Sequence, residues 1–470
     1  YIVDISLHNA AQETQLLQQR AAHPHIQATP DMVWRAPVQA PANWSPLDGQ
    51  RPVVVGFGPC GMFAALVLAQ MGLKPIVIER GPPVRQRTKD TWGLWRKSVL
   101  KPESNVQFGE GGAGTFSDGK LYSQIKDPRH LGRKVMQEFV NFGAPEEILW
   151  AAHPHIGTFK LVKVVEGLRE HIIRLGGEVR FNQRVVDMEF ETHNAQRHLK
   201  TLHIVQQDSG ERYTLHAQHV VMALGHSARD SFSMLHRHGV AMTAKAFSIG
   251  VRIEHPQSVI DKARWGMHAG HPMLGAADYK LVHHAANGRA VYSFCMCPGG
   301  TVVAATSETG RVVTNGMSQY SRNERNANAG IVVGIDPADY PTDAASFEAT
   351  LGQELGNAVR LDTLDTADGF HPLAGMVLQR QLESAAYVAG GSNYQAPAQL
   401  VGDLLAGKPS TALGDVEPSY KPGVHMTSFH NVLPAYATDA MREALPVFGR
   451  KIKGFDRADA VLTGVETRTS

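Results

Sequence analysis

The sequence is poor in cysteine, in excess charge of either sign and in long apolar runs. Three cysteines among 470 residues are too few for a disulfide scaffold and favour a reducing, cytoplasmic location. The 46 basic and 44 acidic residues leave a net charge of +2, which predicts no nucleic-acid partner and no anionic membrane surface. No run of about 18 apolar residues occurs, so we expect no membrane span. The first residues also lack the basic and apolar regions of a secretory signal.

The most informative stretch covers residues 51–80, RPVVVGFGPCGMFAALVLAQMGLKPIVIER. Val53 to Val55 are β-branched and predict a buried parallel strand. They lead into a G-x-G-x-x-G turn at Gly56, Gly58 and Gly61. In this pattern the first glycine allows a tight turn, the second lets a phosphate approach the backbone, and the third lets the next helix pack on the strand. The turn therefore predicts a dinucleotide-binding βαβ unit, with the pyrophosphate at the N-terminus of the helix.

The acidic residue of the same pattern is Glu79, at the end of a second predicted strand, Pro75 to Ile78. It follows Gly56 by about 20 residues, the usual spacing of the acid that binds the ribose hydroxyls. A carboxylate at this position disfavours a 2′-phosphate. The ligand is therefore expected to be FAD or NAD rather than NADP.

A second glycine-rich stretch occupies residues 106–120 and contains Gly109, Gly111, Gly112 and Gly114. It also matches G-x-G-x-x-G, but no apolar strand precedes it and no apolar helix follows, so we do not expect a second Rossmann turn. We interpret it as a loop whose bare backbone lies against a flat or phosphorylated ligand. An ordinary flexible glycine loop is the alternative.

The coarse pattern of strands and helices predicts three regions. Residues 1–48 look like a fragment of a small N-terminal α+β domain followed by a proline-rich linker. Residues 49–231 together with 453–470 are predicted to form a Rossmann-like domain, completed by a late buried strand that ends near Ala223 and Gly225. Residues 232–452 are predicted to form an inserted, mixed α/β domain that covers the substrate.

Few side chains can be assigned a catalytic role from the sequence. Cys295 and Cys297 lie two apart on a predicted strand and therefore on one face. A redox pair or a flavin-linked thiol is conceivable there, but core packing is the favoured interpretation, because residues two apart on one strand make a poor disulfide and free cysteine is often buried. The 23 histidines have no companions at zinc-ligand spacing, so no metal site is predicted. We assign no general acid or base.

Several longer strings resemble one bacterial family. They include VVVGFGPCGMFAALVLAQMG, IVIERG, PHIGTFKLV, VVMALGHSARD, FSIGVRIEHPQ and YSFCMCPGGTVV, and the resemblance extends from about residue 51 to residue 470. The chain is similar to the bacterial FAD-dependent dehydrogenase family. That family lies within the class of flavoproteins that includes geranylgeranyl reductase and p-hydroxybenzoate hydroxylase. The resemblance implies a Rossmann-like FAD-binding fold of the GR2 type and FAD as the cofactor.

The resemblance also implies which residues approach the FAD. The first glycine turn would hold the pyrophosphate, Glu79 the adenosine ribose, and Val185 or Val186 the adenine. The full set of predicted cofactor-binding residues is Gly56, Gly58, Pro59, Gly61, Glu79, Arg80, Gly109, Gly111, Gly112, Gly114, Val185, Val186, Ala223 and Gly225.

A flavin carries the redox chemistry itself, and the protein orients it. We therefore expect an oxidoreductase, a dehydrogenase or reductase, that moves a hydride through the flavin N5 to or from an unidentified organic substrate. The alternatives are a flavin monooxygenase, a double-bond reductase and a non-catalytic flavin- or nucleotide-binding protein. Because no second dinucleotide unit is predicted between residues 239 and 452, any NAD(P)H is expected to bind transiently over the flavin.

Both ends of the sequence carry expectations of their own. The chain begins Tyr1-Ile2-Val3 without an initiator methionine, which favours further residues upstream. The final stretch, VLTGVETRTS, resembles the approach to a last glycine-rich FAD segment found in related flavoproteins. From this we expect that residues 1–470 alone retain little flavin, whereas a longer chain would retain it.

Overall fold

The computed structural model describes residues 2–122, 125–355 and 369–469. The first part of the chain contains one helix, α1 (Ala10–Gln19), none of whose residues is buried. Residues 2–7, whose alternating pattern in the sequence favours a strand, have no regular structure. Within residues 2–48 the structure therefore describes one exposed helix and no strand, rather than a part of an α+β domain. No helix in the described part of the chain is long and apolar enough to cross a membrane.

The chain next forms a Rossmann-like unit. In chain order its elements are β1 (Val53–Val55), α2 (Pro59–Gln70), β2 (Ile76–Ile78), α3 (Val84–Lys97), α4 (Leu131–Asn141), α5 (Thr158–Arg174), β3 (Glu178–Arg180), β4 (Gln183–His193), β5 (Gln196–Gln206), β6 (Arg212–His216), β7 (Val220–Met222) and α6 (Arg229–Arg237). Four strands form a parallel sheet in the order β3-β2-β1-β7. The apolar strands β1 and β2 are fully buried, as expected for strands covered on both faces.

A three-stranded antiparallel sheet, β4-β5-β6, projects from this unit. The sequence pattern predicts one strand over residues 178–191, but the structure divides it into β3 and β4. Asn182 lies between them with a φ of 56°, a left-handed conformation that asparagine tolerates better than most residues. The change of direction lets β3 pair with β2 while β4 pairs with β5.

The second half of the chain builds a larger sheet. In chain order its elements are β8 (Phe247–Pro256), α7 (Gln257–Trp265), β9 (Val282–His284), β10 (Ala290–Ala304), β11 (Thr314–Ser318), β12 (Asn326–Ile335), α8 (Ala344–Leu355), α9 (Ala374–Ala389), β13 (Ala396–Leu400), α10 (Val401–Ala406), β14 (Val424–Met426), α11 (Ala435–Lys451) and β15 (Val461–Thr469). The strand order is β11-β10-β12-β8-β15-β13-β14, with β9 beside β10. Helices α9 and α11 pack against it and complete a mixed α/β domain.

The position of β15 corrects one predicted domain boundary. The sequence predicts that residues 453–470 belong to the FAD-binding unit, but β15 lies between β8 and β13 in the larger sheet and pairs antiparallel with both. Its apolar residues face the core of the second domain, for example Leu462 and Val465. The strand therefore belongs to the second domain.

The two halves meet at a group of buried ion pairs. Arg229, at the start of α6, donates to Glu383 of α9 at 2.7 Å and to Glu308 at 3.3 Å. Arg468 of β15 donates to Glu383 at 3.2 Å and to the Ser227 hydroxyl at 2.7 Å. Although burial opposes its ionisation, the charges of Arg229 and Arg468 hold the pKa of Glu383 far below its ordinary value. These contacts fix one half against the other beside the cavities described next.

Candidate cofactor and substrate site

A cavity of about 240 Å³ lies at the carboxyl ends of the parallel strands. This is where open α/β sheets bind their ligands. Most of the residues predicted to bind the cofactor line it, namely Gly56, Gly58, Pro59, Glu79, Arg80, Gly109, Gly112, Gly114, Val185, Ala223 and Gly225. The structure thus brings both glycine-rich stretches and the late strand β7 to one place.

Three predicted residues lie outside this cavity. A side chain at Gly61 would collide with the carbonyl of Gly56, so this glycine serves the packing of α2 on β1. The Gly111 N–H donates to the Phe57 carbonyl at 2.8 Å and holds the second loop in place. Val186 lines a separate small cavity beside His203, because neighbouring strand residues point to opposite faces. Of the two valines expected to lie beside the adenine, Val185 is therefore the one that lines the dinucleotide cavity.

The two glycine loops touch through their backbones. A methyl group at Gly112 would stand 2.8 Å from the Gly58 Cα, and one at Gly114 would stand 3.2 Å from the Pro59 ring. Helix α2 begins beside this contact with Gly58 as its N-cap, and no side chain caps it. Its first N–H groups are therefore available to an anion, as the dinucleotide pattern requires. This glycine-walled opening fits the pyrophosphate of FAD.

Glu79 is buried and already holds three backbone groups. Its carboxylate accepts hydrogen bonds from the N–H groups of Phe57 at 2.7 Å, Gly81 at 2.9 Å and Gly109 at 3.0 Å. A carboxylate offers about four acceptor positions, so one remains for a ribose hydroxyl. Glu79 thus connects both glycine loops as well as lining the cavity.

Arg80 forms one side of the cavity through ion pairs of its own. Its guanidinium donates to Glu103 at 2.7 Å and to Asp230 at 2.8 Å, and it lies 4.1 Å from the centre of the Phe108 ring. With these partners satisfied, its role in the structure is to hold the loop around Phe108 against β2.

A second cavity of about 220 Å³ lies between the two domains. It shares four lining residues with the first, Gln107, Ala113, Gly114 and His226. The second domain supplies its opposite wall, including Phe294, Cys295, Thr314, Glu466 and Arg468. The dinucleotide cavity therefore continues into a space that both halves of the chain enclose.

Apart from Gly114 and Cys295, the residues of this second cavity were not predicted from the sequence. Glu466 and Arg468 come from β15, which we had placed in the other domain, and strand pairing across the chain leaves no local signal. His226 directly follows Gly225 in the loop after β7, and this adjacency is the one feature that could have identified it.

Burial controls the protonation of two groups here. Burial, assisted by the charges of Arg468 and Arg229, lowers the pKa of His226 to about 4, so its imidazole is neutral near pH 7. Its Nδ1 lies 2.8 Å from the Ser227 hydroxyl. Burial raises the pKa of Glu466 to about 7, against the effect of Arg252, which donates to it at 3.0 Å. Glu466 can therefore gain or lose a proton close to neutral pH.

Two charged residues of the second glycine-rich stretch, Asp118 and Lys120, lie outside both cavities. Asp118 pairs with Arg322 of the second domain at 2.6 Å, and Lys120 donates to the Met296 carbonyl. These contacts join the second glycine loop to β10 and its neighbours. Among the described residues, no cluster of three or more histidine, cysteine, aspartate or glutamate side chains could hold a metal ion.

Comparison with protein families agrees with this division of the chain. A family model described as an FAD binding domain matches residues 51–277. A second, described as the C-terminal domain-like part of FAD-dependent proteins, matches residues 246–469. Fold, site and family matches together define a flavoprotein with a Rossmann-like FAD-binding domain, and its cofactor is FAD.

An uncharacterised protein of Clostridium beijerinckii is 47% identical over 421 residues, which cover 89% of this chain and 72% of that protein. The chain belongs to the bacterial family of FAD-dependent oxidoreductases that the sequence strings indicated.

Solved structures give weaker likenesses. THI4 of Thermovibrio ammonificans is 20% identical over 42% of this chain and 66% of its own, with a TM-score of 0.30. Glycerol-3-phosphate dehydrogenase of Bacillus halodurans, complexed with FAD, is 12% identical over 61% of this chain and 48% of its own, with a TM-score of 0.29. A flavoprotein/dehydrogenase of Cytophaga hutchinsonii is 14% identical over 66% and 60%, with a TM-score of 0.30. This chain thus spans less than two thirds of each.

Proposed function

We propose that the protein is a dehydrogenase or reductase that acts on a small organic substrate bound in the cavity between the two domains. The supporting observation is the continuity of the two cavities through Gln107, Ala113, Gly114 and His226. FAD, when bound, supplies hydride chemistry at its N5 atom. A cofactor whose pyrophosphate lies at the glycine loops would extend toward the shared residues and the second domain.

The dinucleotide end of the site needs only binding and orientation from the chain. The N-terminus of α2 and the bare backbones of Gly58 and Gly112 attract the pyrophosphate. Glu79 accepts a ribose hydroxyl with its remaining acceptor position, and Val185 supplies an apolar surface for the adenine. Substitution Glu79→Ala removes the hydrogen bond to the ribose together with the three backbone hydrogen bonds that connect the glycine loops, and is expected to weaken FAD binding by at least about 1–3 kcal/mol.

The inter-domain end carries the groups that meet the substrate. Neutral His226 and the guanidinium of Arg468 offer hydrogen bonds to a polar substrate group. Glu466 can hold or release a proton near neutral pH, which suits the general acid or base of a hydride transfer. The second domain supplies the opposite wall of this space.

The first experiment identifies the cofactor and the class of reaction. The purified full-length protein is denatured, and the released nucleotide is identified by chromatography; FAD is expected, and nicotinamide nucleotide alone would contradict the proposal. The intact protein is then mixed with NADH or NADPH without oxygen. Bleaching of the flavin, followed by recovery with an organic electron acceptor, is expected of a dehydrogenase or reductase.

Two other outcomes would favour the alternatives. Rapid recovery in air that is accelerated by a substrate, with oxygen incorporated into that substrate, would indicate a monooxygenase. FAD that no nicotinamide nucleotide and no organic donor reduces, although dithionite does, would indicate a non-catalytic flavin-binding protein.

A further inference from the structure

Strand β10 is distorted at Cys295, the first residue of a Cys295-Met296-Cys297 sequence. Cys295 has a φ of 45°, and the pairing of β10 with β12 shifts between Phe294 and Cys297. A non-glycine residue at positive φ within a strand is uncommon and is concentrated at functional sites. The Cys297 thiol donates a hydrogen bond to the Cys295 carbonyl at 3.3 Å. The distortion therefore brings the buried Cys297 thiol against the backbone of Cys295.

The two thiols differ in their access to the site. Cys295 lines the inter-domain cavity, the same space that His226 and Gly114 connect to the dinucleotide cavity. Cys297 is completely buried behind it. One thiol can therefore meet a ligand in the cavity, while the other can meet only its neighbour.

Charged groups from several elements surround the pair. Arg252 of β8 donates to the Cys295 carbonyl at 2.6 Å, and Lys120 donates to the Met296 carbonyl. The charged and titratable groups that act on the pair are Asp118, Lys120, Arg252 and Glu466. A hydrogen bond from Cys297 lowers the pKa of the Cys295 thiol below its ordinary value, and the positive charges of Arg252 and Lys120 act in the same direction. Thiolates of this kind are the reactive form of cysteine.

We propose that Cys295 and Cys297 form a redox-active dithiol–disulfide pair that exchanges two electrons with the FAD of this site. The proposal rests on the FAD-dependent oxidoreductase function and deepens it, because it names small disulfides as a substrate class.

The step balances within the molecule and its substrate. The Cys295 thiolate attacks a small disulfide and releases one thiolate. The Cys297 thiol then loses its proton and attacks the sulfur of Cys295, which releases the second thiolate and forms the Cys295–Cys297 bond. FAD, when bound and reduced, would supply the two electrons and two protons that return the Cys295–Cys297 disulfide to two thiols. NAD(P)H is the hydride donor that reduces the flavin.

Electron counting tests the proposal directly. Oxidised, FAD-loaded protein is titrated without oxygen with dithionite while the flavin absorbance is followed. Wild type is expected to take up about four electrons per FAD, two for the flavin and two for the disulfide. Cys295→Ser and Cys297→Ser are each expected to take up about two. Uptake of two electrons by fully oxidised wild type would overturn the proposal while leaving the FAD assignment intact, whereas a protein without FAD would contradict the proposed function instead.

Thiol labelling gives a readout that does not require the serine variants to fold. The oxidised and reduced wild-type proteins are treated with iodoacetamide at several pH values, and the labelled peptides are measured by mass spectrometry. In the reduced protein Cys295 should react well below pH 8, and in the oxidised protein neither Cys295 nor Cys297 should react. Cys60 in the same sample is the internal reference for labelling. Equal labelling of Cys295 in both states would overturn the proposal.

Discussion

The contact between Gly58 and Gly112 gives the most direct test of the cofactor site at the scale of single residues. In Gly112→Ala the new methyl group would stand 2.8 Å from the Gly58 Cα, so the two loops must separate and the pyrophosphate opening must widen. We expect FAD to bind roughly tenfold more weakly or worse, a loss of about 1.4 kcal/mol or more. Equilibrium binding of FAD to the flavin-free protein measures the effect.

A control at a second glycine with positive φ tests the effect of backbone strain away from the site, although the ψ of −165° at Gly112 adds strain of its own because this region is essentially restricted to glycine. Gly210 has a φ of 74°, close to the φ of 57° at Gly112, but a methyl group there meets nothing within 4 Å. Gly210→Ala should therefore lose about 1–2 kcal/mol of stability and keep its FAD affinity. Equal loss of FAD affinity in both variants would show that the loop contact is not the cause.

Glu466 should give the protein an unusual pH dependence. Burial raises its pKa to about 7, whereas an unfolded glutamate has a pKa of about 4.3. Between these two values the native state binds more protons than the unfolded state, so this residue makes stability fall as the pH rises. Urea unfolding at several pH values between about 4 and 7 should show a smaller fall in Glu466→Gln than in wild type. Parallel curves for the two proteins would contradict the raised pKa.

At this scale the sequence predicted the residues of the dinucleotide cavity well and those of the second cavity poorly. The spacing of Gly56, Gly58 and Glu79 is a local pattern with a direct physical meaning. The partners that Glu79 holds at Phe57, Gly81 and Gly109 were not predictable, since they depend on how close two distant loops approach. For the same reason the sequence could not show that Glu466 and His226 line the same cavity.

At the scale of secondary-structure elements, helix α9 carries the carboxylate that links the two domains. Glu383 is fully buried between Arg229 of α6 and Arg468 of β15. In Glu383→Gln the two arginines lose their shared negative charge, and we expect the free energy of unfolding to fall by about 3–5 kcal/mol. Thermal and urea unfolding measure this loss. Asp31→Asn, which breaks an exposed pair with Arg35, is the control and should leave the unfolding midpoint unchanged.

The same carboxylate gives a pH effect of the opposite sign to that of Glu466. Its folded pKa lies below the unfolded value of about 4.3, so the stabilisation is fully present above that pH and is lost as the pH falls below it. Wild type should therefore lose stability in acid more steeply than Glu383→Gln. An identical acid dependence in the two proteins would show that Glu383 is not held ionised.

Elements whose partners lie nearby in sequence were predicted, and elements with distant partners were not. The unit of β1, α2 and β2 could be predicted because its apolar strands, its glycines and its helix all lie within thirty residues. In contrast, residues 376–405 read as helical, yet the structure places strand β13 within them. β13 is short, and pairing with β14 and β15 decides its conformation. Local propensity is a weak guide where tertiary pairing dominates.

At the scale of the whole molecule, the protein should bind one dinucleotide tightly. Between residues 239 and 452 the described residues contain one parallel strand pair, β13 and β14, which are joined in part through α10. The turn that leads from β13 into α10, Leu400-Val401-Gly402, has no G-x-G-x-x-G pattern. Gel filtration with both nucleotides should therefore retain FAD and remove NAD(P)H. Recovery of an equimolar NAD(P)H complex would show a second dedicated site.

The placement of β15 in the second domain also bears on how the protein is synthesised. With that strand assigned, the parallel sheet is complete at β7, and all four of its strands lie in the first half of the chain. Domains generally fold as units, N-terminal first, while the ribosome is still elongating the chain. The Rossmann-like unit can therefore fold, and meet FAD, before the second domain has emerged. Until then Arg229 lacks its partners Glu308 and Glu383, because both are still to be translated. Docking of the nascent second domain is therefore the step that neutralises the positive charge of Arg229.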